Sequence, residues 1–243
     1  MLQTALAIRG KHISKIAWPW FLILGLVFLL ILPAWAGDKE KDDETLKNAA
    51  TVLQEMLNDK NIPLDLLAKA DCVIVLPSVK KFGFGVGGSG GRGPMSCRAG
   101  KDFSGKWSAP AMYTVGGVSA GLQVGGSSTD FVLLVMADKG VEAVLKGKTK
   151  LGRDATAAAG PSGATTGGAV GGSDMLTYGR AKGLFAGMSM GGATLEQDND
   201  ANERLYGKKI SAREIVRGNA VQTTEGGQPL VSLLNSKVAK HSR

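Results

Sequence analysis

Glycine alternates with apolar residues along three stretches of the chain, and this pattern most narrows the choice of fold. The stretches read FGFGVGG from Phe82, VSAGLQVGG from Val118 and LFAGMSMGG from Leu184. A period of two residues is typical of a β-strand, in which successive side chains point to opposite faces. A face made of glycine permits strong curvature or the close approach of another backbone. We therefore predict a strongly curved, mostly antiparallel, glycine-rich sheet or barrel.

Two motifs known from enzymes occur in or beside these stretches, and the high glycine content is enough to produce both by chance. Residues 83–88 match the G-x-G-x-x-G loop of dinucleotide-binding proteins, but residues 89–94 contain too much glycine and proline for the helix that must follow. There are also three G-x-S-x-G matches, centred on Ser89, Ser119 and Ser189. None precedes a predicted helix, and His12 and His241 are the only histidines that could act as a base. We expect no catalytic residue and no cofactor.

The N-terminus has the features of an export signal. Arg9, Lys11 and Lys15 precede an apolar run at residues 17–32, and Ala34-Trp35-Ala36 forms an A-x-A cleavage site. We expect residues 1–36 to be cleaved and the protein to reach a bacterial periplasm or cell envelope. A retained membrane anchor is the alternative, because the run is near the lower limit of about 17 residues for a span. Cleavage removes three basic residues and no acidic one, which lowers the formal net charge from +8 to +5.

The cysteines and carboxylates give little support for a metal site. Cys72 and Cys97 are the only cysteines and have no histidine nearby, so they do not form a zinc site. In an oxidising compartment they could instead pair, a question that the sequence leaves open. The segment Asp198–Glu203 resembles the start of a calcium loop, but Glu203 replaces the required glycine and Lys209 the required glutamate. A helix cap at Asp198 explains this segment better.

Helical periodicity flanks the glycine-rich region, which predicts a single α+β domain with helices at its N- and C-terminal ends. Residues 37–43 form a charged leader, residues 44–218 the domain, and residues 219–243 a tail that contains a helix from Pro229. The apolar run at residues 131–137 suits a central strand. The other predicted helices cover residues 44–58, 63–69, 139–146, 202–206 and 211–217.

One basic grouping is the candidate binding site. It comprises Lys80, Lys81, Arg92, Arg98, Lys101 and Lys106, with Phe103 and Trp107 at its edge. A run of charges often forms only a solvated surface. Basic residues beside aromatic ones nevertheless suit contact with an anionic membrane interface. Nucleic acid is a poor alternative, because aromatic residues are too sparse for a stacking platform.

Three long motifs resemble the SYLF domain family. They are ADCVIVLPSVKKFGFGVGGSGGRG from Ala70, WSAPAMYTVGGVSAGLQVGGSSTDFVLLV from Trp107 and RAKGLFAGMSMGGATLEQDNDANERLYG from Arg180. The resemblance covers residues 46–218 and includes the exported bacterial members of the family. It implies a lipid-binding domain without catalytic residues; some eukaryotic members associate with actin.

We therefore expect a non-catalytic, exported lipid-binding protein that contacts anionic phospholipids of the cell envelope. The alternative is an envelope scaffold or stress protein that binds an envelope protein partner through its sheet. A serine hydrolase is a remote third interpretation.

Overall fold

The computed structural model describes residues 18–151, 153–154, 157–159, 173–181, 184–187, 192–238 and 241. The chain divides into two compact units, Met1–Asp38 and Lys39–Arg243, and the account below concerns the second. Among the residues whose side chains are described, no helix has the length and apolar character needed to cross a membrane.

Along the described chain, two helices precede the strands, one helix lies among the strands, and three helices follow them. The helices are α1 (Trp18–Asn58), α2 (Leu64–Lys69), α3 (Asp138–Leu145), α4 (Asn199–Tyr206), α5 (Ala212–Val216) and α6 (Gln228–Lys237). The strands are β1 (Cys72–Cys97), β2 (Ala111–Val135), β3 (Lys148–Lys150), β4 (Ala157–Ala159), β5 (Met175–Ala181), β6 (Leu184–Gly187) and β7 (Thr194–Gln197).

Local capping signals set the ends of the C-terminal helices, as their sequences predict. The Asp198 side chain accepts a hydrogen bond from the Ala201 N–H at the start of α4, which confirms the helix-cap interpretation. Gly207 ends α4 in the left-handed region, with φ of 70°. Ser211 and Glu214 form a reciprocal capping box at the start of α5.

The strands form one open sheet, which confirms the predicted α+β class. Its strand order is β3-β7-β2-β5-β4, with β1 also paired to β2 and β6 also paired to β5. Every pairing is antiparallel except that of β4 with β5. The apolar run at residues 131–135 lies between β1 and β5, so it is a central strand as predicted.

The two longest strands pair with each other and fold back on themselves; we call them the β1–β2 ribbon. Cα pairing runs from Cys72 with Val135 to Met95 with Ala111. The two ends of β1 meet, because a disulfide joins Cys72 to Cys97 with their Cα atoms 4.0 Å apart. The Arg98 N–H also donates to the Asp71 carbonyl oxygen at 2.9 Å. The pairing that the sequence left open is therefore made in the structure, and it closes β1 into a loop.

Folding of the ribbon creates an inner and an outer apolar face. The inner face packs against α3 and α5, and its core includes Ile74, Leu76, Val79, Met95, Phe131, Val144 and Ile215. The outer face packs against α1, α2 and α6, and its core includes Leu53, Leu67, Val73, Val75, Val132, Leu134 and Leu234. A bulge between Leu76 and Val79 changes which residues of β1 face inward, from even to odd numbers.

Candidate binding surface

The glycine-rich middle of the ribbon pairs with few of the described strands. We define the ribbon bend as residues 80–90 of β1 and residues 116–128 of β2, where the strands turn back and the pairing register shifts between Phe84 and Val86. β7 pairs with β2 only up to Gly116, and β5 pairs with it only from Thr129. Among the described strands, residues 117–128 therefore pair with β1 alone.

Two large apolar side chains of the ribbon bend are exposed. The exposed fraction is 67% for Phe82 and 86% for Val118. A Cβ built on Gly88 would lie 3.2 Å from the tip of the Phe82 ring, and Gly88 is the cross-strand partner of Val118. Directly paired residues place their side chains on the same face. Phe82 and Val118 therefore share one face of the ribbon, with Gly88 beneath the ring.

The two lysines at the start of the ribbon bend lie on opposite faces. Lys81 continues the inner face from Val79, and its Nζ lies 5.8 Å from the centre of the buried Phe131 ring. Lys80 is exposed and alternates with Lys81, so it shares the outer face with Phe82. We call Lys80, Phe82, Gly88 and Val118 the outer patch.

The predicted basic grouping does not form one surface. Lys101 and Lys106 are exposed but lie in the loop after Cys97, at the disulfide end of the ribbon. Lys81 stands nine residues along β1 from the other disulfide cysteine, which corresponds to about 30 Å of strand. The exposed lysines therefore divide between two opposite ends of the ribbon.

Arg92 has structural partners. It forms an ion pair with Asp42, a carboxylate of α1 that is 0% exposed. The Arg204 Nε donates to the same carboxylate at 2.7 Å, and Arg92 also lies 3.6 Å from Asp198. Asp42 comes from the segment predicted as a charged leader; in the structure it belongs to α1 and is fixed by two arginines.

Arg98, Trp107 and Phe103 are buried, so the prediction that they face a membrane needs correction. Arg98 is 0% exposed, donates to the Val238 carbonyl oxygen at 2.8 Å and stacks 4.5 Å from the Trp107 ring. Its burial lowers the pKa of the guanidinium below the ordinary value of an arginine. Trp107 and Phe103 are 4% and 3% exposed, and the Arg217 guanidinium covers Phe103 at 3.9 Å. These residues hold the disulfide end of the ribbon against α5 and α6.

The described residues offer no arrangement for nucleophilic catalysis or metal binding. The Ser89 hydroxyl contacts the Gly117 carbonyl oxygen at 3.5 Å, and the His241 ring contacts the Lys69 carbonyl oxygen at 3.1 Å. The Ser119 side chain and all of Ser189 lie outside what the structure describes. In that described part, no group of three His, Cys, Asp or Glu side chains could hold a metal ion.

Comparison with known proteins identifies the family. A family model described as Ysc84, Las17-binding protein actin regulator, matches residues 116–237, which is half of the chain. The chain belongs to the Ysc84 (SYLF) family. The part of this Ysc84-family chain that matches begins within the ribbon bend and ends with α6.

Proteins similar to this Ysc84-family chain occur in fungi and vertebrates. It is 36% identical over 188 residues to SH3 domain-containing protein PJ696.02 of Schizosaccharomyces pombe, covering 75% of this chain and 43% of that protein. It is 34% identical over 206 residues to human SH3 domain-containing YSC84-like protein 1, covering 80% and 59%. It is 32% identical over 213 residues to protein YSC84 of Saccharomyces cerevisiae, covering 81% and 44%. The chain thus spans less than two thirds of the length of each of these curated relatives.

The sequence does not reveal the exposure of the outer patch. Its period of two assigns Phe82 and Val118 to apolar strand faces, which predicts burial. Further apolar residues alternate with glycine in the same stretches, so no local pattern in the sequence marks Phe82 and Val118 as exposed. The side chains of residues 83–86 and 119–125 lie outside what the structure describes.

Proposed function

We propose that this protein is a non-catalytic binding module that docks a protein partner through the ribbon bend. The observation that carries the proposal is the strand edge at residues 117–128, which among the described strands pairs on one side only. A free strand edge presents backbone N–H and C=O groups that an extended segment of another protein can pair with. The family description as Las17-binding supports a protein partner of this kind.

Site-specific photo-crosslinking in the cells that make the protein tests this proposal. The crosslinking residue is placed at Ser128, which is exposed in the ribbon bend, and at Ser236, which is exposed on α6, as the matched control. We expect one dominant protein adduct from Ser128 that is absent from Ser236. The purified partner should then bind the protein and lose affinity when Ser128 is replaced by proline, which removes a backbone donor. Identical adduct patterns at the two positions would contradict docking at the bend.

A second function, contact with anionic phospholipid in a cell envelope, is favoured by a separate observation. Residues 80–90 and 116–128 contain two lysines and no acidic residue, and Lys80 is exposed. Positive charge near a membrane attracts anionic lipid, by about 1 kcal/mol for each lysine close to the surface. Export after Ala36 is part of this proposal, and the mass of the protein recovered from its host tests it.

Vesicle sedimentation tests the phospholipid function. Residues 37–243 contain the whole compact unit Lys39–Arg243, so this shortened chain keeps every contact within that unit. We expect it to sediment with phosphatidylglycerol vesicles at low salt, less at high salt, and not with phosphatidylcholine vesicles. Equal binding to both vesicle types would exclude an electrostatic contribution. Fluorescence of Trp107 is a poor reporter of this contact, because that side chain is already buried.

A further inference from the structure

We infer that the outer patch is a membrane-insertion element: Phe82 and Val118 enter the boundary between headgroups and acyl chains while Lys80 contacts lipid phosphate. This inference rests on the phospholipid function proposed above. It goes beyond that function because it assigns the contact to an apolar pair on the outer face of the ribbon bend, whereas the sequence places the contact at a basic grouping around Trp107.

The exposure of the pair is the first argument. Only Leu64, Phe82 and Val118 stand out as exposed large apolar side chains among the described residues, and two of these three share one face of the ribbon bend. Such side chains gain free energy when a bilayer removes their apolar surface from water. The cross-strand partner of each is a glycine, Gly126 opposite Phe82 and Gly88 opposite Val118, and Gly88 also lies under the Phe82 ring. The pair therefore stands above the ribbon surface, as insertion requires.

Charge complementarity selects an anionic bilayer as the occupant. Lys80 lies on the same face as Phe82, and residues 80–90 and 116–128 contain no carboxylate that would repel lipid phosphate. Asp130, which follows on β2, is held by Arg180 at 3.1 Å. Binding at a membrane interface strengthens with buried apolar area and with attraction to anionic lipid, and the outer patch supplies both.

The described helices cover only part of the outer face of the ribbon. Helices α1, α2 and α6 cover the outer face of the ribbon at Val73, Val75, Val132 and Leu134. The outer patch continues the same face beyond these residues and carries exposed Gly126 and Ser128 on the paired strand. The insertion element is thus the uncovered extension of a face that elsewhere packs against helices.

The experiment compares the paired substitution Phe82→Ser/Val118→Ser with a matched control, Leu64→Ser, in residues 37–243. Leu64 is a 50% exposed apolar residue on α2, outside the ribbon. We expect the paired substitution to weaken binding to phosphatidylglycerol vesicles by about tenfold or more, because two partly inserted side chains are lost. The Leu64 control should stay within about twofold of the unmodified chain, since a surface change away from the contact affects little. Urea unfolding of each variant verifies that the fold is retained.

A fluorescent probe then locates the insertion directly. Because Cys72 and Cys97 are both in the disulfide, a thiol-reactive, polarity-sensitive dye labels only a new cysteine at Val118→Cys or, as control, at Ser236→Cys. We expect the emission to shift to the blue with phosphatidylglycerol vesicles at position 118 and to remain unchanged at position 236.

The outcomes separate the inference from the function on which it rests. If the unmodified chain fails to bind any vesicle, the phospholipid function fails and the inference fails with it. If the unmodified chain binds but the paired substitution binds equally well and the dye at position 118 does not shift, the function stands and the insertion element is wrong. If the paired substitution instead abolishes the protein adduct at Ser128 and leaves vesicle binding intact, the outer patch contacts protein and the inference is overturned.

Discussion

Replacing Gly93 by alanine should destabilise the protein severely, because two parts of β1 approach each other most closely there. A Cβ built on Gly93 would lie 1.9 Å from the Val75 carbonyl oxygen and 3.0 Å from the Leu76 Cα. Real Cβ atoms almost never approach a neighbour within 3.0 Å, so the backbone would have to separate by more than 1 Å. Val75 is 0% exposed and packs in the outer core, so it cannot move freely.

The expected loss follows from two opposing effects. Overpacking a well-packed core costs about 1–3 kcal/mol and sometimes more, and a collision with backbone belongs at the upper end of that range. Replacement of glycine also lowers the conformational entropy of the unfolded chain, which stabilises the folded state by about 0.4–1 kcal/mol. We expect a net loss of about 2 kcal/mol in the free energy of unfolding. With a urea dependence of about 2 kcal/mol per molar, the unfolding midpoint should fall by about 1 M.

Urea unfolding monitored by Trp107 fluorescence measures this effect. Trp107 is the only tryptophan in residues 37–243 and is 4% exposed, so unfolding should change its emission. The control is Gly90→Ala, three residues away on the same strand, where the nearest atom to an added Cβ is the Val115 carbonyl oxygen at 4.0 Å. Its midpoint should remain within about 0.5 M of the unmodified protein, since the added methyl group meets open space. A Gly93→Ala midpoint as high as that of the control would refute the close approach of the two halves of β1.

Three further predictions concern the disulfide, the buried carboxylate and a surface ion pair. Cys72→Ala/Cys97→Ala should lower the free energy of unfolding by about 3.5 kcal/mol, because the bond closes a loop of 25 residues; equal urea midpoints with and without reductant would contradict this. Asp42→Asn should cost about 1.5–3 kcal/mol, since it removes the buried charge that two partly exposed arginines bind, and calorimetry at neutral pH would measure it. The hydrogen bond from Arg213 lowers the pKa of Glu142 from its ordinary value of 4.5, so the pair stabilises the fold above that pH and the contribution disappears as pH falls through the folded pKa. Glu142→Gln should therefore cost about 0.5 kcal/mol at neutral pH and nothing well below pH 4.5; a loss that does not depend on pH would count against the pair.

Much of the fold could be predicted because its signals are local. The capping box at Ser211 and the helix cap at Asp198 depend on residues within one helical turn, and the structure contains both. The apolar run at residues 131–135 could be placed in the centre of a sheet because a strand buried on both faces has no polar alternation.

The candidate site was less predictable, because proximity in sequence is a poor guide to proximity in a folded strand. Lys81 and Lys101 are 20 positions apart in the chain, yet the ribbon places them at its opposite ends. Arg98 is basic and therefore expected at the surface, but it is 0% exposed beside Trp107. No local pattern shows that a charged residue will find a carbonyl oxygen 140 positions away, as Arg98 does at Val238.

The sequence by itself determined the helices at both ends of the domain, the strands in which glycine alternates with apolar residues, and the apolar central strand. Periodicity and capping depend on neighbours within a few residues, and these are present before the chain folds. Only the tertiary structure decided that β1 closes on itself through Cys72 and Cys97, that Arg92 pairs with Asp42, and that Phe82 and Val118 remain in water. Burial depends on which distant segment covers a face, and in the described part of the chain no helix covers Phe82 or Val118 enough to bury it.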